Sequence, residues 1–481
     1  MSTPICLRCL RRSLFPPISS RAAKLAATRA AFSTTPSRSA NPPKKQSTTA
    51  KRDTSKTKSL RLSKNKRVVT GRPPAPGERK ALRKRVVLSN SNALEVAGLE
   101  DFTAENVRRA TLLRQLEGRV VGFGDATVNV LRALEGFKPT QGWGLFRRPA
   151  SLVRAETVEL GEMMQTLKGE KSMLSLLLAG ERGSGKSVLQ LQAMAVAYLQ
   201  GWIIVHIPEA KDITIGHTAF QPVKTTDGQT IYIQPQYTAE LLDKIAQANR
   251  GILSDLRLSR QHQLPIPIQS NISLARLVEL GANDPQLAWP IWQALWAELT
   301  APSQPDKQGL HRPPVLVSAD GVDHIMRNSA YIDVETKPIH SHELAIVRDF
   351  TALLAGKTAL PNGGMVLAAI SKSTAANSPT FAAAHGHPRQ FARASRDRRP
   401  KLPEWNPYDS LDQRVAEVME NVEVKNVDGL SKQEARSVME YYARSGMMRG
   451  TITEGLVSEK WTLAGGGLVG ELEKGAVRAR F

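Results

Sequence analysis

The chain has little cysteine. Its two residues, Cys6 and Cys9, are too few for a disulfide scaffold, and their CxxC spacing has neither a second ligand pair nor a βαβ context. Long apolar runs are also missing. None reaches 18 residues, which excludes a transmembrane helix, and no apolar core of the secretory kind is found near the start. Acids are scarce in residues 1–90, where Asp53 and Glu78 stand against 23 Lys and Arg; the rest of the chain holds 43 basic and 42 acidic groups. The net charge of +22 therefore belongs to a basic arm ahead of a nearly neutral body. Residues 39–90 contain no aromatic residue, so that arm cannot stack on bases. No fixed-period repeat is present. With 41% hydrophobic residues, the chain as a whole is globular rather than disordered.

The basic arm has two parts. Residues 1–38 carry seven basic residues and no acid, are rich in Ser, Ala and Thr, and space Leu7, Leu10, Leu14 and Ile18 roughly as a helix would until Pro16 and Pro17 interrupt. That is the composition of a mitochondrial transit peptide; cleavage is expected within 30–38, which leaves a mature chain without cysteine. Residues 39–94 are expected to form an extended basic arm, with 16 Lys and Arg in 39–90. Its means of attraction is phosphate neutralisation. Inside mitochondria RNA is the natural partner, and anionic lipid the second candidate.

The motif with the clearest chemistry begins at residue 180. SMLSLLLA at 172–179 is a continuous apolar run of strand length, GERGSGKS at 180–187 fits GxxxxGK(S/T), and VLQLQAMAVAYL at 188–199 is apolar at helical spacing. Strand, glycine-rich loop and helix are the context a phosphate-binding loop needs. Such a loop, here Gly180, Glu181, Arg182, Gly183, Ser184, Gly185, Lys186 and Ser187, turns its N–H groups toward phosphate at a helix N-terminus. Lys186 is expected to reach the β- and γ-phosphates, and the Ser187 hydroxyl to bind Mg²⁺. The second acid such a site needs is Asp320, which ends the apolar run PPVLVSAD at 313–320 and would hold Mg²⁺ directly or through water. WIIVHI at 202–207 and MVLAAI at 365–370 read as further strands, the latter running into Ser371 as a candidate phosphate sensor. Helical patterns at 238–257, 285–300 and 341–355 alternate with them, so the fold class expected is α/β, a P-loop nucleotide-binding domain of the AAA-like kind with a parallel sheet flanked by helices.

Binding is easier to read than hydrolysis. Gly321 follows Asp320 where an AAA-type ATPase carries Glu, and Asp323 is the nearest stand-in. Slow or no turnover is expected, with no catalytic residue assigned and the nucleotide acting as a structural cofactor. The guanine-reading NKxD pattern is absent, which favours adenine mildly, or a base pocket of backbone and apolar side chains; ATP, GTP and the diphosphates all stay open. The segment FKPTQGWGLFRR at 137–148 either covers the base or packs as a loop.

The set resembles the death-associated protein 3 family, the P-loop proteins of the mitochondrial small ribosomal subunit also called mitochondrial ribosomal protein 29, in its fungal form. The likeness rests on the basic presequence, GERGSGKS, GWIIVHIPEA at 201–210, VLVSADGVDHI at 315–325 and FKPTQGWGLFRRPASLVR at 137–154. It covers about residues 95–481. It implies a protein of the mitochondrial matrix built into the head of the small subunit, with small-subunit ribosomal RNA, neighbouring ribosomal proteins and bridges to the large subunit as partners. It also implies phosphate binding by Gly180 through Ser187, and Mg²⁺ held by Ser187 and Asp320. The competing reading is a free mitochondrial P-loop ATPase or GTPase acting as a signalling switch or remodelling motor.

Residues 208–237 read as a loop or hairpin insertion. The stretch 374–401 reads as a loop with a basic second half, Arg389, Arg393, Arg396, Arg398, Arg399 and Lys401. The expected division is 1–38, 39–94, a nucleotide-binding domain at 95–402, and a small helical, winged-helix-like module at 403–481. In that module Ser431 and Glu434 form a capping box opening a helix to about Ser445, and 451–462 forms a wing. Its mixed charge favours an interaction surface over DNA reading. The histidine pairs His340/His342 and His385/His387 lack the converging ligands of a metal site.

Overall fold

The computed structural model describes residues 86–225, 228–269, 271–304, 307, 309–372, 378–386 and 408–478. The presequence, most of the basic arm and the basic stretch 389–401 lie outside them. The chain divides into two units, Met1–Arg72 and Pro73–Phe481, and every described residue belongs to the second.

The strands in chain order are β1 (Asp101–Phe102), β2 (Val120–Phe123), β3 (Ala150–Leu152), β4 (Met173–Ala179), β5 (Ile203–Ile207), β6 (Gln221–Lys224), β7 (Thr230–Ile233), β8 (Val315–Asp320), β9 (Asn328–Ile332), β10 (Pro338–His340), β11 (Gly364–Ala369) and β12 (Glu423–Asn426). The principal helices are α1 (Asp125–Ala133), α2 (Ala155–Glu170), α3 (Lys186–Leu199), α4 (Pro235–Ala248), α5 (Leu274–Asn283), α6 (Pro285–Leu299), α7 (Ala345–Leu354), α8 (Gln413–Met419), α9 (Lys432–Arg444), α10 (Glu454–Leu463) and α11 (Val469–Glu473). None of the described helices is long and apolar enough to cross a membrane.

A five-stranded sheet in the order β12-β4-β11-β8-β5 forms the centre, and every pairing in it is parallel. Its inner strands are mostly apolar because helices cover both faces, with Ser175, Ser318 and Asp320 the buried polar exceptions in β4 and β8. Successive residues alternate between them: Leu177 and Ala179 of β4 pack with α4 to α8 on one face, while Leu176 and Leu178 pack with α1 to α3 on the other. The register aligns Ala369 of β11 with Leu178 of β4 and with Asp320 of β8, so three strands end level.

Chain order places the site. From β4 the chain passes through α3 to β5 at the far edge, then steps back through β8 and β11 before crossing to β12 beyond β4. The neighbours β4 and β11 therefore send their chains in opposite directions, over opposite faces. A crevice at the carboxyl ends of such a pair is where open α/β sheets take ligands.

Smaller pieces surround this sheet. β1, β2 and β3 form a three-stranded sheet; β6 with β7 and β9 with β10 form hairpins. Residues 86–94, expected to be part of the arm, pack on the body: Leu88 and Ala93 are buried and the Asn90 N–H donates to the Phe146 carbonyl at 2.9 Å. Two expectations for 403–481 are corrected. β12 and α8 lie within that segment, yet β12 is the fifth strand of the central sheet and Val415, Ala416 and Val418 of α8 fill its core. The remainder, α9 to α11, has a small core of its own with Ala435, Val438, Met439 and Tyr442 against Phe146, and α9 carries the expected capping box of Ser431 and Glu434. Where a wing was expected, 454–463 is helical instead, because the Thr453 hydroxyl caps it by accepting the Leu456 N–H.

Candidate functional site

The glycine-rich loop leaves the carboxyl end of β4 at the crevice. Three of its glycines have a positive φ: Gly180 at 134°, Gly183 at 80° and Gly185 at 108°. At Gly180 a Cβ would stand 2.3 Å from the Val427 carbonyl oxygen, so a side chain has no room. Gly185, left-handed, hands the chain directly to α3, whose first residue is Lys186. The unpaired N–H groups of this helix start and its dipole face the loop.

Lys186 is nearly buried, and its Nζ donates to the carbonyls of Gly180 (2.9 Å) and Glu181 (2.7 Å). Burial, then repulsion from Lys372, lowers its pKa, while Asp320 and Glu181 act the other way. Ser187 Oγ donates to Asp320 Oδ2 at 2.9 Å, so the two candidate Mg²⁺ ligands meet as the motif predicts. One hydroxyl and one carboxylate form the sparse protein set Mg²⁺ accepts when phosphates and waters complete its octahedron. Ser184 Oγ is fully buried and finds no hydrogen-bond partner among the described residues. An unpaired buried hydroxyl is costly unless something answers it, and a phosphate oxygen in the loop would. These features fit a nucleotide phosphate with Mg²⁺. Among the described residues no group of three or more His, Cys, Asp or Glu forms a metal site of the all-protein kind.

Asp323 stands otherwise than a water-activating carboxylate would. Its Oδ1 accepts the Ser371 N–H at 2.9 Å, tying the exit of β8 to the exit of β11. Ser371, the candidate sensor, thus lies two residues past the level of Asp320, against the turn that follows β8. Lys372 reaches across the mouth to Glu181 at 2.7 Å.

Several site residues were not legible in the motif. Lys138 Nζ lies 3.2 Å from Asp320 Oδ2. Arg154 directs Nη1 to the carbonyls of Ser184 (3.4 Å) and Asp428 (3.2 Å), Nη2 to the Gly429 carbonyl (3.3 Å) and Glu156 (3.1 Å), and Nε to Glu434 (3.4 Å). The Gly470 N–H donates to the Gly183 carbonyl at 3.0 Å, which lays α11 against the loop. The same C-terminal stretch holds the segment 137–148: Gly142 N–H donates to Glu473 (3.3 Å) and Arg478 to the Thr140 carbonyl (3.3 Å). In that segment Trp143 is buried, edge-on to Phe137 with ring centres 5.2 Å apart. It is a packing residue rather than a free platform for a base. The only sign of these residues in the sequence is that Lys138 and Arg154 lie in the run 137–154.

The sequence profile described as mitochondrial ribosomal death-associated protein 3 matches residues 151–475. The small ribosomal subunit protein mS29 of Neurospora crassa is 40% identical over 423 residues, which cover 87% of each chain. The chain belongs to the mitochondrial ribosomal death-associated protein 3 family. A more distant relative, the small ribosomal subunit protein mS29 of Schizosaccharomyces pombe, is 21% identical over 327 residues, 66% of this chain and 63% of its own. The family match includes the glycine-rich loop, Asp320, Arg154 and α11; it begins after Lys138.

Proposed function

We propose that the protein is a structural constituent of the mitochondrial small ribosomal subunit that holds a purine nucleotide, with Mg²⁺, as a part of its fold. Membership of the family and the 40% identity to a small-subunit protein support the ribosomal role. Residence in the mitochondrial ribosome follows from that role, as does contact with small-subunit ribosomal RNA and neighbouring ribosomal proteins. Bridges to the large subunit are a finer expectation of the same reading, and the basic arm ahead of residue 86 is the segment proposed to meet RNA phosphates.

The nucleotide reading rests on one observation: the loop 180–187 leaves β4 at the topological switch of a parallel sheet, and Ser187 and Asp320 meet there at 2.9 Å. On this reading the domain is a P-loop fold. The loop N–H groups and Lys186 bind phosphate, and Ser187 and Asp320 hold the ion. Bound Mg²⁺ would neutralise phosphate charge. No hydrolytic step is assigned, since Gly321 follows Asp320 and Asp323 is engaged with the Ser371 amide. The nucleotide then acts on stability: at about 1,000 times its dissociation constant it adds about 4 kcal/mol to the folded state. That stabilisation would be felt where the loop meets Arg154 and α11.

The test is nucleotide extraction from purified small subunits, quantified by mass spectrometry, for wild type and Lys186→Ala. About one purine nucleotide per subunit in wild type, and much less in the variant, is the expected result. Equal content in both would remove the phosphate-loop assignment, and turnover faster than ~1 s⁻¹, within the usual enzyme range, would favour the free NTPase.

A further inference from the structure

Asp320 is the carboxylate that the proposed site assigns to Mg²⁺, yet a cation already rests on it. Lys138 Nζ lies 3.2 Å from Asp320 Oδ2, the same oxygen that accepts the Ser187 hydroxyl at 2.9 Å. The ammonium also donates to the Pro208 carbonyl just beyond β5. This is not the wandering reach of a surface lysine. The side chains of Lys138 and Asp320 are only 21% and 12% exposed. The turn that launches Lys138 is fixed as well: its own N–H donates to Gln141 Oε1 at 3.0 Å, and that oxygen also takes the Trp143 indole N–H at 2.5 Å. Phe137, the residue before it, is buried.

Two consequences follow from charge and valence. An ammonium has three N–H donors; the Pro208 carbonyl takes one, Asp320 is an ion-pair partner at 3.2 Å, and donor capacity remains for a phosphate oxygen. A divalent ion brought to Asp320 meets a fixed positive charge on the same oxygen, and like charges at such a separation repel strongly when partly desolvated. The carboxylate is therefore already neutralised when no Mg²⁺ is present, and Mg²⁺ gains less from it than from a bare acid.

We propose that Lys138 is a second phosphate-directed cation of this site, sharing Asp320 with Mg²⁺ so that nucleotide binding depends only weakly on the divalent ion. The proposal rests on the nucleotide reading above. In a site with Lys186 alone, removing Mg²⁺ would leave Asp320 facing the phosphates with its full charge. With Lys138 in place it does not.

The test is fluorescence titration of the full chain with methylanthraniloyl-ADP and methylanthraniloyl-GDP, each in Mg²⁺ and in EDTA, for wild type, Lys138→Gln and Lys138→Arg. For wild type, replacing Mg²⁺ by EDTA should raise Kd by less than about 10-fold. Lys138→Gln should weaken binding by about 3- to 10-fold in Mg²⁺ and by about 30-fold or more in EDTA, the scale of a lost hydrogen bond to a charged group. Lys138→Arg, which keeps the charge, should restore most of the EDTA affinity. An equal loss in both buffers would reduce Lys138 to an anchor of its segment and overturn the proposal, as would no loss in either. A wild type that binds neither nucleotide even in Mg²⁺ would overturn the nucleotide reading itself, and this proposal with it.

Discussion

Replacing Arg154 by Ala should loosen the C-terminal helices from the phosphate loop before it loosens anything else. The guanidinium has five N–H donors; four hydrogen bonds run at 3.2–3.4 Å to Glu434 and to the carbonyls of Ser184, Asp428 and Gly429, and Glu156 pairs with it at 3.1 Å. These distances are at the long end of the range, so each bond is worth about 0.5–1 kcal/mol net, for a total near 3 kcal/mol. The Arg154 side chain is 12% exposed, and those of Glu156 and Glu434 are 17% and 19% exposed. Losing the cation leaves two carboxylates without their shared partner and with only partial access to water, which adds to the loss. A destabilisation of about 2–4 kcal/mol is expected, confined at first to contacts between α9 and the loop. Native-state hydrogen exchange followed by mass spectrometry reads this directly. Amides of α9 should exchange about 30 to 1,000 times faster in the variant, while those of β8 stay as in wild type. Arg154→Lys keeps the charge but not the planar fork and should recover less than half of the protection. Exchange of α9 within about threefold of wild type would refute the reasoning, and so would an equal acceleration in β8.

Other predictions follow from single sites. Gly180→Ala places a methyl 2.3 Å from the Val427 carbonyl at a φ of 134°; it should destabilise by about 3 kcal/mol or more and abolish nucleotide retention, measured by thermal melting and extraction. Arg312→Met strands Glu298, a fully buried carboxylate that also accepts from Ser259 and His262; about 3–5 kcal/mol should be lost, and much of it regained when Glu298→Gln is added, as a double-mutant cycle on melting would show. Burial pushes Asp349 up to about 6 against the Trp292 indole, which donates to it at 2.7 Å, and against Arg348. A carboxyl raised in the folded state contributes stability below its unfolded value near 4 and loses it as pH rises through about 6. Asp349→Asn should therefore gain on wild type by about 2–3 kcal/mol between pH 4 and 7, and a constant difference in denaturant titrations across that window would contradict the assignment.

The centre of the fold could be read from the sequence because its signals are local. β4, the loop and α3 are contiguous, and the apolar runs at 202–207, 313–320 and 365–370 became β5, β8 and β11, strands buried on both faces. β12 was not legible, since Glu423, Val424, Lys425 and Asn426 carry no strand pattern; the edge of β4 makes them a strand. The stretch 451–462 misled because its Thr and Ile content suits a strand, whereas the Thr453 cap at its start decides for helix. Lys138 and Arg154 were missed for another reason. Lys138 meets Asp320 across 182 positions, and Arg154 meets Glu434 across 280; no spacing rule reaches that far, and only the packing of the segment 137–154 between the sheet and α9 to α11 brings them together.

Sedimentation of detergent-solubilised mitochondria through a sucrose gradient in Mg²⁺, followed with an antibody to this chain, tests the central claim most directly. The protein should travel with the small ribosomal subunit, and leave that fraction when EDTA and high salt dismantle the particle. A protein that stays near the top of the gradient in Mg²⁺, as a monomer or small ring, would contradict the ribosomal account.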